Sequence, residues 1–443
     1  MRIQEKKLAI LAAGGPAPGI NSVISAATIR AEMEGIEVIG ILDGFKWIMQ
    51  GNINRVKPLH INTVSRIHFR GGSFIGIDRA NPTFDPKTLE NTVTSLLRLD
   101  VDKLITIGGD GTAFTASKVE EIANGRIRVV HVPKTIDNDL DLPHGSPTFG
   151  YETARHHGCE ILKNLMVDAH TTSRWYFVVS MGRKAGHLAI GIGHAAAATL
   201  SLIAEEFAGP EIPLRQIVDT LVGAIVKRRS MGRFDGVAML AEGLLEHLPE
   251  KDMEKYLNVR RDQHGNIKLG QINFGEIVQR EVEKRLTEFN IDTTIVAKNI
   301  GYELRCADPI PFDMEYTRNL GSCAAEYILN GGNRAMVSID QGHFRPIKFK
   351  HLMDSETGRT KMRMVDVTSE SFATARRYMI RLNETDFADP HAIAKYAATC
   401  GVSIREFEKR FKYLIKTDKL FQLKNADALK AKTVKNGDLK EKV

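Results

Sequence analysis

The chain has 443 residues, 43% of them hydrophobic and 26% charged, the balance of a folded globular protein with length for two or three lobes. Its 61 basic and 54 acidic side chains leave a net charge of +7, which favours anionic partners, phosphorylated metabolites as readily as nucleic acid. With the basic residues mostly dispersed and no recognised nucleic-acid-reading motif, a dedicated DNA or RNA binder is not the expected class.

The first residues lead directly into the apolar run Leu8–Ala13, LAILAA, and the loop GGPAPGIN, without the pattern of a signal peptide. The segment SVISAATIRAEMEG reads as the next helix, and strand, tight loop and helix open an α/β unit. A strand is predicted over Ile36–Leu42. The loop RGGSFIGIDR follows, then strand and glycine loop again in DKLITIGGDG, with a helix through TAFTASKVEEIAN. RIRVVHVPKTIDNDL and SRWYFVVSMGRKAG supply two further strands with their loops, and a helix starts near His187. The apolar run Ile190–Phe207 is broken by His194, Glu205 and Glu206, so it reads as a core helix and not a membrane span.

Beyond it, DGVAMLAEG is a strand and loop, residues 244–290 are charged and helical with an exposed connection, and a long helix ends at Gly331. Ala335–Asp340 is expected as a strand and SFATARRYMIRL as a helix; the lysine-rich last twenty residues read as a solvated tail. Four cysteines without a CxxC pair point to reduced thiols and no structural zinc. The expected class is α/β, with two similar three-layer lobes, mostly parallel sheets and a C-terminal extension. Ligands of such sheets bind beyond the carboxyl ends of the strands, where the glycine loops fall.

The loops point to phosphate. Glycine lets the main chain approach a ligand, and a helix N-terminus adds unpaired N–H groups. Three stretches are candidates for such a cradle, Gly14–Gly15, Gly71–Gly72 and Gly108–Thr112 (with Gly109 and Gly111), and the Arg79 guanidinium could engage the donor phosphate. Asp110, between glycines after a strand, is suited to hold Mg²⁺ beside the phosphates. In PKTIDND, Asp137 is the expected general base for an incoming hydroxyl, Asp139 its helper, and Lys134 a cation near the transferring group. The cations Arg174, Arg183, Lys184 and Arg305 suit an acceptor that already bears phosphate, with Glu242 suited to sugar hydroxyls, Tyr302 to phosphate and Thr135 to the transferred phosphoryl group.

The motifs GGPAPGIN, GGSFIGIDR, GGDGT, PKTIDND, MGRKAGH, AEG and GYELR, in this order over residues 7–341, resemble the phosphofructokinase family. GGDGT alone is less specific, since lipid and NAD kinases have similar loops. The resemblance implies two α/β lobes and transfer of a phosphoryl group from ATP or pyrophosphate to the 1-hydroxyl of fructose 6-phosphate. It implies Asp137 as base, Asp110 as the Mg²⁺ carboxylate and Asp139 assisting. Thr135, Met181, Gly182, Arg183, Glu242, Tyr302 and Arg305 would line the sugar-phosphate site, and Arg174 would reach the substrate of a neighbouring copy in a homodimer or homotetramer. Gly14, Arg79, Gly111 and Thr112 would serve the donor.

Gly111 leaves open the space that an aspartate fills in pyrophosphate users, whereas Lys134 is usual in them. The pair resembles the longer ATP-dependent branch, so ATP is the expected donor, with pyrophosphate the alternative. A non-catalytic sugar-phosphate sensor is a further alternative, against which the intact Asp110, Asp137 and Asp139 argue. The expected division is a donor-binding lobe over residues 1–180, a sugar-phosphate lobe over 181–343, and an extension over 344–443 acting as lid or interface, allowing for chain crossovers. A cytoplasmic enzyme without membrane or nucleic-acid partners completes the expectation.

Overall fold

The computed structural model describes residues 6–256, 272–352 and 361–423. By its contacts the chain forms two units, Met1–His157 with Gly301–Arg363, and Gly158–Ile300 with Met364–Val443. In chain order the strands are β1 (Lys7–Ala12), β2 (Val38–Ile41), β3 (Val56–Leu59), β4 (Val101–Gly108), β5 (Arg128–Pro133), β6 (Trp175–Ser180), β7 (Leu200–Leu202), β8 (Gly236–Ala241), β9 (Ile295–Ile300), β10 (Ala335–Met336), β11 (Ile339–Asp340), β12 (His343–Phe344) and β13 (Ile347–Lys348).

The first unit holds a sheet in the order β13-β10-β5-β4-β1-β2-β3. Its centre is parallel; β3 and β13 run antiparallel at the two edges. The central strands are buried on both faces, which is why they read as unbroken apolar runs instead of alternating ones. On one face Ala9, Leu11, Leu104 and Val129 pack with Leu89, Val93 and Leu96 of helix Pro86–Arg98 and with Ala116 and Val119 of helix Asp110–Ala123. Helices Ile20–Glu32 and Pro311–Leu329 cross closely, because a Cβ on Gly321 would stand 2.5 Å from the Val23 carbonyl oxygen.

The second unit is a parallel sheet in the order β7-β8-β6-β9. Trp175, Phe177 and Val179 of β6 join Leu221 and Ile225 of helix Leu214–Ser230 and Val278 and Val282 of helix Phe274–Thr287 in one core. Helices Pro390–Thr399 and Ile404–Phe411 complete it with Ile393, Tyr396, Phe407 and Phe411.

Three local expectations change. The run Ile190–Phe207 is not one helix: the helix His187–Ala195 stops, Ala197 turns left-handed at φ 57°, and β7 joins the sheet beside β8. The strand expected over Ala335–Asp340 is two short pieces in different sheets, β10 and β11. The helix expected in SFATARRYMIRL covers Glu370–Tyr378. The lysine-rich tail and part of the connection in 244–290 lie outside the described residues. No helix among the described residues is long and apolar enough to cross a membrane.

Candidate active site

At the carboxyl ends of β1, β4 and β5 the first unit opens a cavity of about 270 Å³. Its walls include Gly14, Gly15, Arg79, Asn81, Gly109–Thr112, Lys134, Thr135, Asp137, Asp139 and Arg305. Gly14, Arg79, Gly109, Asp110, Gly111 and Thr112 are therefore in one place and the Asp137 loop shares it, whereas Gly71 and Gly72 are not among its walls: Gly71 donates its N–H to Asp308 Oδ1 at 2.8 Å instead.

The cradle is built by backbone shape. Gly14 sits at φ 92° and donates its N–H to the Asp78 carbonyl at 2.9 Å, which ties the first loop to the segment carrying Arg79. Gly108 must be glycine, since a Cβ there would lie 2.3 Å from the Thr112 side chain. Helix Asp110–Ala123 begins directly afterwards, so its first N–H groups and the positive end of its dipole face the cavity. Gly111 is open: a Cβ would meet nothing within 4 Å. Asn81 accepts from the Thr115 hydroxyl at 3.1 Å and so docks the Arg79 segment on the same helix.

A fully buried His131 fixes the turn from below. Burial holds its pKa down to about 3, so the ring is neutral. A carbonyl can only accept, so Nε2 donates to Gly108 O at 3.1 Å and Nδ1 accepts from the Thr106 hydroxyl at 2.8 Å. The Lys134 N–H reaches the same Gly108 carbonyl at 2.7 Å. A histidine inside an apolar strand reads from sequence as core filling, and its position two residues before PK was the available signal.

The Lys134 side chain runs beneath the first glycine loop and its Nζ donates to Gly15 O at 2.5 Å. Burial lowers its pKa to about 8, while the Asp137 carboxylate works against that shift and Arg305 adds to it. Asp139 is pushed the other way, up to about 7, first by burial and then by the neighbouring Asp137 and Asp110 carboxylates. Three carboxylates and three cations thus meet around one polar basin.

The second unit brings another set together. Met181, Gly182 and Arg183 follow β6 and Glu242 follows β8, and these strands are paired up to Ser180 and Ala241. Gly182 turns at φ 133°, and a Cβ on Gly243 would approach Arg183 O to 2.9 Å, so the two strand-end loops touch. Arg183 lies 3.7 Å from Glu246. Arg174 stands apart from these residues at the opposite end of β6, with Nε 3.9 Å from Asp168. In the first unit Tyr302 is 71% exposed, with the Arg305 guanidinium 5.4 Å from its ring centre.

A dipole-backed glycine cradle with convergent cations and carboxylates suits phosphoryl-transfer chemistry. The phosphofructokinase family model matches residues 7–328. A pyrophosphate–fructose 6-phosphate 1-phosphotransferase of Thermotoga maritima is 50% identical over 414 residues, 92% of this chain and 98% of that protein. One from Naegleria fowleri is 46% identical over 417 residues, covering 92% and 95%. A crystal structure titled as a pyrophosphate-dependent phosphofructokinase from Nitrosospira multiformis shares the fold, with TM-score 0.64 at 16% identity over 90% of this chain and 92% of that one. The chain belongs to the phosphofructokinase family.

These relatives overturn the expected ATP donor and the placement in the ATP-dependent branch. The open space beside Gly111 gives a nucleotide room, but room alone supplies no affinity for it. The expected Mg²⁺ at Asp110 is withdrawn as well. Among the described residues no group of three or more His, Cys, Asp and Glu side chains could hold an ion. Asp110 instead begins a helix whose positive end complements its charge.

Proposed function

We propose that the chain transfers a phosphoryl group from pyrophosphate to the 1-hydroxyl of fructose 6-phosphate, giving fructose 1,6-bisphosphate and inorganic phosphate. The observation that carries this reading is the 50% identity across 98% of a protein named for that reaction. The cavity supports it: N–H groups of Gly109–Thr112, Arg79 and Lys134 suit a small, densely charged donor. Asp137 takes the proton of the attacking hydroxyl while the bond from phosphorus to the leaving phosphate breaks. Lys134 and Arg305 compensate the charge on the transferring group, and Asp139 assists with Thr135 beside it.

Met181, Gly182, Arg183 and Glu242 of the second unit are proposed as sugar-phosphate contacts, and so, each within the first unit, are Thr135, Tyr302 and Arg305. Arg174, remote from the other second-unit residues, is proposed to serve the substrate of a neighbouring copy in a homo-oligomer.

The test is formation of fructose 1,6-bisphosphate by the purified chain with pyrophosphate or ATP, in matched buffers from zero to millimolar divalent cation. The expected kcat/KM is larger for pyrophosphate by tenfold or more, about 1.4 kcal/mol in transition-state stabilisation. Equal or better use of ATP would refute the donor assignment.

A further inference from the structure

The loop carrying Asp137 and Asp139 has little regular structure and an unusual backbone. Asn138 between them lies at φ 55°, and His144 and Gly145 follow at φ 51° and 70°. A left-handed asparagine persists only where its surroundings hold it. Within the loop, the Thr135 hydroxyl accepts from Asp137 N–H at 3.0 Å and Asn138 Oδ1 accepts from Thr148 N–H at 3.0 Å.

Much of the remaining hold comes from one residue far along the chain. The Arg363 Nη2 donates to Asn138 O at 3.1 Å and to Asn138 Oδ1 at 2.5 Å, and Nε reaches the same carbonyl at 3.3 Å. Its Nη1 donates to Ser146 O at 3.1 Å, and its backbone N–H to Asp139 O at 2.8 Å. The preceding Met362 forms an antiparallel bridge with Leu140. A Cβ on Gly145 would stand 3.6 Å from Nη1, so the guanidinium packs directly against the loop. A planar fork of five donors can satisfy both carbonyls and the amide at once in a fixed geometry that a point-like ammonium with three donors does not reproduce.

We propose that Arg363 is a positioning residue for phosphoryl transfer, clamping the Asp137–Asp139 loop in its working shape from beyond residues 7–328, the span matched by the family model. The inference rests on the reading of Asp137 as base. The clamp fixes the peptide between the two carboxylates, so its loss displaces them without removing a group that touches substrate.

The experiment compares Arg363→Met, Arg363→Lys, Asn138→Gly and the double variant Arg363→Met with Asn138→Gly against Asp137→Asn in the pyrophosphate assay. Displacing a base by about 1 Å costs up to about 10²-fold. Arg363→Met should therefore lose about 10- to 100-fold in kcat while KM for pyrophosphate stays within about twofold. Arg363→Lys should recover part of the loss, and the double variant should fall by less than the product of the single effects, because one clamp is removed twice. If Arg363→Met does not fold, Arg363→Lys carries the test: reduced kcat at unchanged KM supports the clamp, and wild-type kcat overturns it. Wild-type kcat in Arg363→Met, or full multiplicativity with Asn138→Gly, also overturns it. Near-normal turnover in Asp137→Asn would instead sink the underlying base assignment, whatever Arg363 does.

Discussion

Asp139 illustrates how residue identity and environment divide the work. The sequence shows an acidic turn, PKTIDND, and therefore where charge is concentrated; it does not show which carboxylate is buried. In the fold, burial and two neighbouring carboxylates raise Asp139 to about 7, while its unfolded reference is 3.8. The folded chain then holds a proton that the unfolded chain releases between those values, so stability falls as pH rises through that window. Above about 7 the full penalty is present. Asp139→Asn removes the titration, and its melting temperature should gain on the wild type as pH is raised from about 4 to about 8. Parallel pH profiles for the two proteins would show that Asp139 is not held protonated. His131 and Arg363 were not legible as contributors, since one sits in an apolar strand and the other lies over two hundred residues from the loop it grips.

At the scale of elements, the glycine loops and strands were the legible part. Parallel strands covered on both faces become continuous apolar words, and glycine followed by a helix start marks where such a strand ends. The same rule failed over Ile190–Phe207, because an apolar run has no period that separates a buried helix from a helix followed by a buried strand. Gly19 shows the constraint that a loop places on an element. It precedes helix Ile20–Glu32 at φ 109°, and a Cβ there would stand 2.6 Å from Thr317 Cγ2. Gly19→Ala should therefore lower stability by about 1–3 kcal/mol through left-handed strain and overpacking. Urea unfolding would measure it, and an unchanged midpoint would contradict both the strain and the overpacking.

For the whole molecule, the order of motifs along the chain identified the family and fold, and the structure gathers the donor-side motifs into one basin of the first unit. The donor was the part that residue reading misjudged. Gly111 is an opening, and an opening states what is permitted, whereas the relatives' activities weigh what the surrounding charges prefer. The C-terminal segment, irregular to the eye, divides its work: Arg363 grips the first unit's acidic loop, and the helices after it fill the second unit's core. Phosphorus NMR of the purified chain, given fructose 1,6-bisphosphate and inorganic phosphate without nucleotide, tests the central claim most directly. The account predicts that a pyrophosphate resonance grows in step with fructose 6-phosphate; a protein that makes no pyrophosphate there, yet phosphorylates ADP from the same sugar, contradicts it.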